Sequence, residues 1–471
     1  MKRTILILLW ISICTHLQAK DHSPLYRNLP ISLPQPAVPT IPNLTVSVTN
    51  FGAIGDGITD CTEAFSKAIS HLSQQGGGHL NVPSGIFLTG PIQLKSLIDL
   101  HVERGAVILF SPDKCQYVNI NGSMRTNGRA TPPLTASKCH DLSITGEGII
   151  DGNGEWWRAV KHGKVSDTEW KTFLAMGGTK TDDGQLWYPH GLKHFADIAD
   201  TPEAQERMRP HLIRLTDCER ILIEGVTIQN APKFHIVPQR CKDVIIDGVT
   251  VRCPWNAQNG DGIDLMQCQR VLVTACTLDV GDDAICLKGG VAEEGVKYGP
   301  CADILITGNT VFHGHGGFVI GSEFSGGIHR IVVSDCTFSG TDTGLRFKSG
   351  PGRGGKTSDI HISNIRMSDI RDQAIIFETS YADRPAGSKA TENETAQTAP
   401  TKFIPEFSDI HISHVTCRDT RIGIAAKGTI DMIHDIRIDD SIIFYTSKEK
   451  DIDHPDMLKL SNVRFMTFEK H

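Results

Sequence analysis

The feature that most constrains this chain is a short phrase that recurs from residue 220 onward, with β-branched residues in alternation before a polar or glycine break. The phrases are RILIEGVTI, DVIIDGVTV, RVLVTACTL, DILITGNTV, RIVVSDCTF, DIHISNIRM, DIHISHVTC and DIRIDDSII. Their starting positions differ by 23, 27, 33, 27, 29, 50 and 26 residues. One such unit cannot bury its own apolar face, whereas stacked units share a continuous core. The repeat therefore predicts an all-β, single-domain, right-handed parallel β-helix.

The start of the coil carries a helical pattern. The segment DCTEAFSKAISHL begins at Asp60, and Glu63 follows it at the spacing of a capping box. Its apolar residues share one helical face: Ala64, Phe65, Ala68, Ile69 and Leu72. We therefore expect a helix that begins at an Asp60 cap and covers the open first turn of the coil, as solenoids require.

The N-terminus has the pattern of an export signal, which we assign to residues 1–19. Lys2 and Arg3 precede the run ILILLWISIC, and Ala19 offers a cleavage point. The run is too short to cross a bilayer, so we expect a periplasmic or extracellular protein without a membrane span. A lipid anchor at Cys14 is the less favoured alternative, because Ile13 stands where a small residue is expected.

Residues 20–44 are rich in proline and predict an extended leader, and residues 45–471 are assigned to a single β-helix domain. Two stretches interrupt the repeat, residues 158–210 and the polar run 383–400. Insertions of this size in a solenoid emerge as loops on one side, often the side that binds ligands.

Charge and cysteine content narrow the possible partners. A formal net charge of −7 argues against a nucleic-acid binder held by a broadly basic surface. Twelve of the 13 cysteines follow residue 19, and several lie in apolar runs, where a free thiol behaves as a small hydrophobe. We therefore expect few disulfides. No CxxC pair or Cys/His cluster has zinc spacing, so the sequence implies no metal and no cofactor. We expect the protein to be a monomer.

Polar residues fall at one phase of successive turns, where neighbours one turn apart lie about 4.8 Å from each other. Asp261 precedes Asp282 by 21 residues, and His315 follows Asp282 by 33. Arg346 and Lys348 follow His315 by 31 and 33 residues. The spacing thus predicts a vertical stripe in which an acidic cluster, completed by Asp283, lies beside a cationic one.

Three clustered carboxylates cannot all ionise easily, so one of them tends to keep its proton. A retained proton suits the general acid of glycoside hydrolysis, in which a second carboxylate activates water or attacks the sugar. The planar fork of Arg346 and the point charge of Lys348 would suit a substrate that bears a carboxylate. The stripe therefore predicts hydrolysis of an acidic polysaccharide.

At these residues the chain resembles the polygalacturonase family, the pectin-cleaving glycoside hydrolases with a β-helix fold. The family's four motifs stand here in order as Asn259-Gly260-Asp261, Gly281-Asp282-Asp283, Gly314-His315-Gly316 and Arg346-Phe347-Lys348. The likeness extends through FGAIGDGITD and GEGIIDGNGEWW, so it covers most of the chain beyond the signal. It implies hydrolysis of α-1,4-galacturonosyl linkages of pectin with inversion at the anomeric carbon.

The resemblance also implies roles for individual residues. Asp282 would be the general acid, Asp261 and Asp283 would position and deprotonate the attacking water, and His315 would tune the acid. Arg346 and Lys348 would hold the galacturonate carboxylate. We add Asn259 and Tyr381 as candidate substrate-binding residues, because they belong to the first motif and to the turn after Lys348.

Three positions depart from the family pattern. Gly260 stands where Thr or Pro is common, and Phe347 stands where Ile or Leu is usual. APKFH, residues 231–235, stands where many relatives have a Ser-Pro-aromatic-aromatic run, so we expect His235 to alter a binding subsite.

Other interpretations remain open at the level of sequence. Asn-Gly-Asp-Gly is a sequence that commonly forms a turn, so the first motif could be structural. Asp282 and Asp283 could form a calcium site. Arg346 and Lys348 could be charged residues on the solvent-exposed face of a strand, without a role in binding. Asp264 is expected to be structural, and Trp156 and Trp157 to pack rather than bind sugar. A pectate lyase that uses calcium and a non-catalytic carbohydrate-binding solenoid are the alternative functions. The insertion 158–210 and the run SGPGRGGK could close one end of the groove and favour attack at a chain end.

Overall fold

A computed structural model describes residues 20–118, 129–189, 201–381 and 402–467. Within these residues 32 strands form one parallel sheet that winds through the molecule, and three more form a small antiparallel sheet. The predicted parallel β-helix is confirmed. The export signal, Cys14 and the run 383–400 lie outside the described residues.

The strands fall into four groups along the chain. The first turns contain β1 Thr45–Ser47, β2 Asp56–Asp60, β3 Gly78–Val82, β4 Gly85–Thr89, β5 Ile92–Gln93, β6 Ile98–Val102, β7 Ala106–Phe110, β8 Leu134–Ser137, β9 His140–Gly146 and β10 Ile149–Asp151. The first interruption contains β11 Val160–Lys161, β12 Thr179–Lys180 and β13 Leu186–Tyr188. The central turns contain β14 Ile213–Thr216, β15 Glu219–Glu224, β16 Thr227–Gln229, β17 Ile236–Gln239, β18 Lys242–Asp247, β19 Thr250–Arg252, β20 Ile263–Met266, β21 Gln269–Thr274, β22 Thr277–Asp279, β23 Ile285–Lys288, β24 Cys301–Thr307, β25 Thr310–Val311, β26 Gly316–Ser322, β27 Ile328–Ser334, β28 Thr337–Ser339 and β29 Thr343–Ser349. The last turns contain β30 Lys356–Ser368, β31 Ile370–Glu378, β32 Glu406–Phe407, β33 Ile410–Lys427, β34 Ile436–Ile452 and β35 Leu458–Thr467.

Helices are few in the described part of the chain. The α-helices are α1 Thr62–Gln74, α2 Asp167–Ala175, α3 Pro202–Met208 and α4 Ala292–Tyr298. Single 3-10 turns occur at Ser23–Tyr26, Val48–Phe51, Lys114–Tyr117, Gly154–Trp156, His162–Lys164 and Pro455–Met457.

The strands of the coil stack in three columns, which in the central turns are each built from every third strand. The column that matters for function runs through β14, β17, β20, β23, β26, β29 and β31. Its register is regular, with Ile263 of β20 opposite Ile285 of β23 and Ile285 opposite Phe318 of β26. Alternate residues of all three columns point inward and form one continuous apolar core. Residues at the same phase of successive turns are therefore neighbours along the outside of the coil.

Each repeat phrase begins on a residue in the left-handed backbone region, with φ between 51° and 58°. These residues are Arg220, Asp243, Arg270, Asp303, Arg330, Asp359, Asp409 and Asp435. The conformation is uncommon outside glycine, although the short polar side chain of Asp tolerates it. The arginines are tied to the preceding turn by ion pairs of 2.6–2.7 Å, namely Arg220–Asp141, Arg270–Asp243 and Arg330–Asp303. The recurrence of Arg and Asp at this position thus has a structural cause.

The predicted capping helix is present as α1, and the five apolar residues expected to face the core are buried. The predicted cap is wrong, because Asp60 is the last residue of β2 and the helix begins one residue later, after Cys61. The Asp60 carboxylate accepts a hydrogen bond from the Thr62 backbone N–H at 2.8 Å. Glu63 pairs instead with Lys67 on the next helical turn.

The proline-rich leader runs along the outside of the coil. Its apolar side chains pack on a stripe of outward-facing apolar residues, one from each of five successive turns. The leader contributes Leu25, Tyr26, Leu29, Ile31 and Leu33, and the stripe consists of Leu222, Ile245, Leu272, Leu305 and Val332. Backbone N–H groups of Ala37 and Thr40 donate to the carboxylates of Asp243 and Asp141. The leader therefore covers apolar surface that the coil alone would expose.

The interruption at residues 158–210 forms a small lobe of its own. In the described part, β13 pairs with β11 and β12 in an antiparallel sheet, and α2 and α3 complete the lobe. Trp157 is buried and contacts Tyr117 edge-on, with ring centroids 5.3 Å apart, so the prediction that this tryptophan packs is confirmed. All twelve cysteines among the described residues have free thiols. No helix within the described ranges is both long and apolar enough to cross a membrane.

Candidate active site

Three carboxylates meet where two neighbouring turns enter the functional column. Asp261 lies two residues before β20, and Asp282 and Asp283 lie just before β23. Because β20 and β23 pair in register, these turns stack on each other. A carboxylate oxygen from each of the three residues lies within 4.8 Å of the others. The structure thus brings together the acidic residues that the repeat spacing places on one stripe.

A pair of cations lies beside this cluster, on the outer face of β29. Lys348 Nζ is 2.7 Å from Asp283 Oδ2, and Arg346 Nη1 is 3.6 Å from Asp283 Oδ1. The ring of Tyr381 lies 5.1 Å from Lys348 Nζ and 5.7 Å from Arg346 Cζ. Phe347, between the two cations, points inward and stacks on Phe377 at 4.3 Å. The unusual phenylalanine of this motif therefore serves the core.

His315 contacts the carboxylate on the other side of the cluster. Its Nδ1 is 3.0 Å from Asp282 Oδ1, and its Nε2 is 3.8 Å from Asp342 Oδ2. Burial disfavours the charged imidazole, but Asp282 outweighs burial and raises the pKa of His315. Burial likewise disfavours ionised Asp282, but His315, followed by Lys348 and Arg346, holds the pKa of Asp282 below its usual range.

Asp261 has the opposite electrostatic environment. It is buried, and its Oδ1 has no hydrogen-bond partner among the described residues. Burial, reinforced by Asp264, Asp282 and Asp283, raises the pKa of Asp261 well above its usual value. In the free protein the cluster therefore keeps a proton on Asp261.

The backbone of Asp261 is held by His235. The fully buried His235 ring donates from Nδ1 to the Asp261 carbonyl oxygen at 2.7 Å, and its backbone N–H donates to the same oxygen at 2.9 Å. Burial lowers the pKa of His235 to about 4, so the ring is neutral. His235 is not among the residues that line the cleft, and its ring instead supports the turn that carries Asp261, so an effect on a binding subsite stays a prediction.

Arg209 anchors the turn that carries the first motif. Its side chain is fully buried and donates to the carbonyl of Gln258 at 2.6 Å and to Asn259 Oδ1 at 2.8 Å. Glu206 receives Arg209 Nη2 at 2.8 Å and Lys233 Nζ at 3.0 Å. Burial opposes ionisation of Glu206, but these two cations lower its pKa to about 2. Sequence reasoning missed Glu206 and Arg209, because they belong to the interruption, where no repeat phase marks them.

Close packing explains two glycines of the motifs. A side chain at Gly260 would begin 2.7 Å from Cys253 Sγ, so the residues common at this position in the family would clash here. A side chain at Gly281 would begin 2.5 Å from the carbonyl oxygen of Ala257. The turn after β19 thus lies directly against the residue that precedes Asp282.

A second charged group lies beneath the same face. Lys288 Nζ is 3.0 Å from the Gly321 carbonyl oxygen, 3.4 Å from Glu323 Oε2 and 3.8 Å from Asp264 Oδ1. Neither carboxylate oxygen of Asp264 has a hydrogen-bond partner in the described part of the chain. Burial, only partly offset by Lys288, raises the pKa of Asp264 to about 8.

These groups line a cleft of about 840 Å³. All eight residues proposed from the sequence border it: Asn259, Asp261, Asp282, Asp283, His315, Arg346, Lys348 and Tyr381. The interruption supplies one wall through Lys161, Thr181, Tyr188, Pro202, Glu203, Glu206 and Arg207. Arg353, from the run SGPGRGGK, donates to the hydroxyl of the cleft residue Ser322 at 2.9 Å.

The protein has stacked carboxylates beside two cations, Arg346 and Lys348, on a parallel β-helix. This combination places it in the class of glycoside hydrolases. A family model described as Glycosyl hydrolases family 28 matches residues 164–416 of the chain. The chain therefore belongs to glycosyl hydrolase family 28, which confirms the resemblance found in its motifs.

Individual relatives agree with this assignment. An exo-poly-alpha-D-galacturonosidase of Dickeya chrysanthemi is 28% identical over 445 residues, which cover 91% of this chain and 70% of that protein. An endo-polygalacturonase of Pectobacterium carotovorum is 25% identical, over 75% of this chain and 77% of that protein. The crystal structure of an exopolygalacturonase from Thermotoga maritima matches with a TM-score of 0.70 and 28% identity, covering 92% of this chain and 94% of that one.

Proposed function

We propose that this protein is a polygalacturonase that hydrolyses α-1,4-galacturonosyl linkages of pectin. The observation that carries the proposal is the contact between Asp283, one of three clustered carboxylates, and the cations Lys348 and Arg346. Carboxylates supply the acid and base of glycoside hydrolysis, and the cations supply a grip for a uronic acid.

In the proposed mechanism Asp282 protonates the leaving oxygen, while Asp261 and Asp283 hold and deprotonate the water. The productive complex therefore needs a proton on Asp282 and an ionised Asp261, whereas in the free protein Asp261 holds the proton. Binding of a galacturonate carboxylate to Arg346 and Lys348 favours this shift. These cations then interact with the substrate and stabilise ionised Asp282 less, so its pKa rises on binding. Asn259 and Tyr381 complete the binding surface.

The Asp282→Asn variant tests the proposal. It should lose at least a hundredfold in turnover of polygalacturonate, measured by release of reducing ends, while its circular dichroism remains that of the wild type. Asp279→Asn is a matched control, because Asp279 lies on the same turn outside the cleft and pairs with His313. A carbohydrate-binding solenoid without catalysis would be indicated if the wild type bound galacturonan and released no reducing ends.

The calcium-dependent lyase is the second candidate, because three close carboxylates could also ligate a cation. The hydrolase is favoured because the carboxylate oxygens of Asp283 contact Lys348 and Arg346, and that of Asp282 contacts His315. Positive side chains therefore already face the oxygens that would have to ligate calcium. A lyase would be inhibited by a chelator and would release unsaturated products that absorb ultraviolet light. We expect neither effect.

Inversion at the anomeric carbon is part of the proposal. The clustered oxygens are closer than the roughly 6.5–9.5 Å usual between the carboxyl groups of inverting enzymes. Two bases on one side of the water, Asp261 and Asp283, would still allow inversion, because neither needs to attack the sugar. Proton NMR of the first product decides the question, and a retained anomer would contradict this part of the proposal.

We further propose that the chain is exported after removal of residues 1–19, and that it acts as a monomer with a leader at 20–44 and a β-helix domain at 45–471. The apolar run between Arg3 and Cys14 supports export. N-terminal sequencing of protein recovered outside the cytoplasm should begin at Lys20, and gel filtration should give a mass near that of one chain.

A further inference from the structure

We propose that Phe234, Lys233 and Lys288 form a second uronate-binding module, on the opposite side of the three carboxylates from Arg346, Lys348 and Tyr381. The inference rests on the proposed function, since it concerns the second sugar that flanks the scissile bond. The sequence analysis proposed no binding role for these three residues, although Lys233 and Phe234 lie in APKFH beside His235.

Phe234 has the position and support of a binding platform. It is half-buried and lines the cleft, next to His235, which holds the backbone of Asp261. One side of its ring packs against the half-buried His211, with ring centroids 4.6 Å apart. Lys233 Nζ lies 6.0 Å and Lys288 Nζ 5.9 Å from the ring centroid.

The two modules have a similar arrangement of side chains. Each places two cations within about 6 Å of an aromatic ring. Each cation has an acidic partner. Lys233 pairs with Glu206 at 3.0 Å and Lys288 with Glu323 at 3.4 Å. Lys348 and Arg346 share Asp283, at 2.7 Å and 3.6 Å. Their exposures are similar, at 26% for Lys233 and 12% for Lys288 against 20% for Arg346 and 7% for Lys348.

The modules are also placed symmetrically along the coil. Phe234 belongs to the turn that enters β17, Asp282 to the turn that enters β23, and Arg346 to β29. Successive strands of this column are β17, β20, β23, β26 and β29. Phe234 and Arg346 therefore lie about two strand spacings, roughly 10 Å, on either side of the turn that carries Asp282, while Lys288 lies on β23 itself and approaches the Phe234 ring from there.

The chemistry of the substrate requires two such modules. Both sugars that flank a galacturonosyl linkage bear a carboxylate, and a pyranose ring offers an apolar face to an aromatic side chain. Lys233 and Lys288 supply point charges for the carboxylate, and Phe234 supplies the surface for the ring. A uronate carboxylate can share these cations with Glu206 and Glu323, whereas a neutral sugar offers them no charge, so the module favours a uronic acid.

Binding to the inactive Asp282→Asn protein tests the module without turnover. The probes are trigalacturonate and its methyl ester, and the readout is the dissociation constant from calorimetry. We expect Phe234→Leu to weaken binding of trigalacturonate about tenfold and Phe234→Trp to preserve it. Lys233→Met should weaken binding of the free acid about tenfold and that of the ester less than threefold. Lys242→Met, an exposed change of the same charge on the same turn, should alter neither constant.

The outcomes separate this inference from the proposed function. The module is refuted if Phe234→Leu and Lys233→Met both bind trigalacturonate within twofold of the parent, or if Lys233→Met weakens acid and ester equally. Where Phe234→Leu fails to fold, the comparison of acid and ester with Lys233→Met decides alone, because Glu206 keeps its contact with Arg209. Failure of the proposed function would show instead as a wild-type protein that releases no reducing ends from any galacturonan.

Discussion

Single residues of the cleft differ in their protonation because burial and neighbouring charges act on each of them differently. His315 and Asp282 form one contact of 3.0 Å, which raises the pKa of the imidazole and lowers that of the carboxyl. Between these two pKa values the pair holds one proton, and it loses that proton as the pH rises through the raised pKa of His315. The pH dependence of the reaction should therefore report on this pair.

The His315→Gln variant should lower kcat/KM by about 10- to 100-fold and move the alkaline limb of the pH profile. The limb moves because a carboxyl then holds the proton that the imidazole held in the wild type. Rates at saturating and at low substrate across the pH range measure both effects. His313→Gln is the matched control, since His313 pairs with Asp279 outside the cleft lining. An alkaline limb that stays in place would contradict the assigned role.

Asp264 should make folding stability depend on pH. Its pKa is about 8 in the folded protein, above the roughly 3.9 of an unfolded chain. A raised pKa means that its contribution to stability is complete below about pH 4 and is lost as the pH rises through about 8. Asp264 faces Lys288, Asp283, Asp282 and Glu323, and Lys288 only partly offsets burial.

Asp264→Asn should therefore flatten the change in unfolding free energy between pH 5 and pH 9. Urea unfolding at the two pH values measures the difference for each protein. Because the variant cannot ionise at this position, its stability should fall less than that of the wild type. Equal losses in the two proteins would show that Asp264 does not titrate in this range.

At the scale of elements, the interruption contacts the turn that carries Asp261 through the side chain of Arg209. Arg209 connects the end of α3 to the carbonyl of Gln258 and the amide oxygen of Asn259, next to Asp261. A displacement of this turn by an ångström would move Asp261 relative to the water that we propose it holds. The lobe is therefore expected to matter for rate as well as for binding.

Arg209→Lys keeps the charge and removes the fork that spans these contacts. We expect kcat to fall about 10- to 100-fold, with a smaller change in KM, in steady-state assays on polygalacturonate. Arg252→Lys is the control, since Arg252 is exposed and contacts Gln229 outside the cleft. A variant that lost only substrate affinity would show that Arg209 does not position the turn.

The leader is an element without regular structure that nonetheless contributes to stability. Leu33 is buried against the apolar stripe of the coil, so Leu33→Ala should lower the free energy of unfolding by about 2–4 kcal/mol. Arg27→Ala, an exposed change in the same segment, should cost less than about 0.5 kcal/mol. Chemical denaturation measures both. Equal stability of the two variants would mean that the leader is not docked in solution.

For the whole molecule, we predict attack at a chain end, because the lobe forms one wall of the cleft. If the lobe limits how much of the polymer can enter, early products of polygalacturonate digestion should be of a single small size. Chromatographic sizing at a few per cent conversion measures this distribution. A ladder of mixed oligomers at that stage would instead indicate attack along the whole chain.

The repeat and the motifs allowed a large part of the fold and site to be predicted. Phrases of constant pattern imply stacked turns, and residues at one phase of stacked turns must be neighbours, so the contact of Asp261 with Asp282 and Asp283 follows from spacing. Arg209, Glu206 and Phe234 could not be found in this way. Arg209 and Glu206 lie in the interruption, where no periodic pattern relates them to the stripe. Phe234 lies in the turn that enters β17, at the phase of the stripe, but it bears no charge that would mark it.

The sequence by itself determined the architecture and the location of the acidic stripe, because a parallel coil converts sequence period into spatial adjacency. Only the tertiary structure decided that Asp261 keeps the proton, that Asp282 shares one with His315, and that His235 supports the backbone. The physical reason is that a pKa depends on burial and on charges within a few ångströms. Those neighbours come from different turns and from the inserted lobe, whose packing no local pattern encodes.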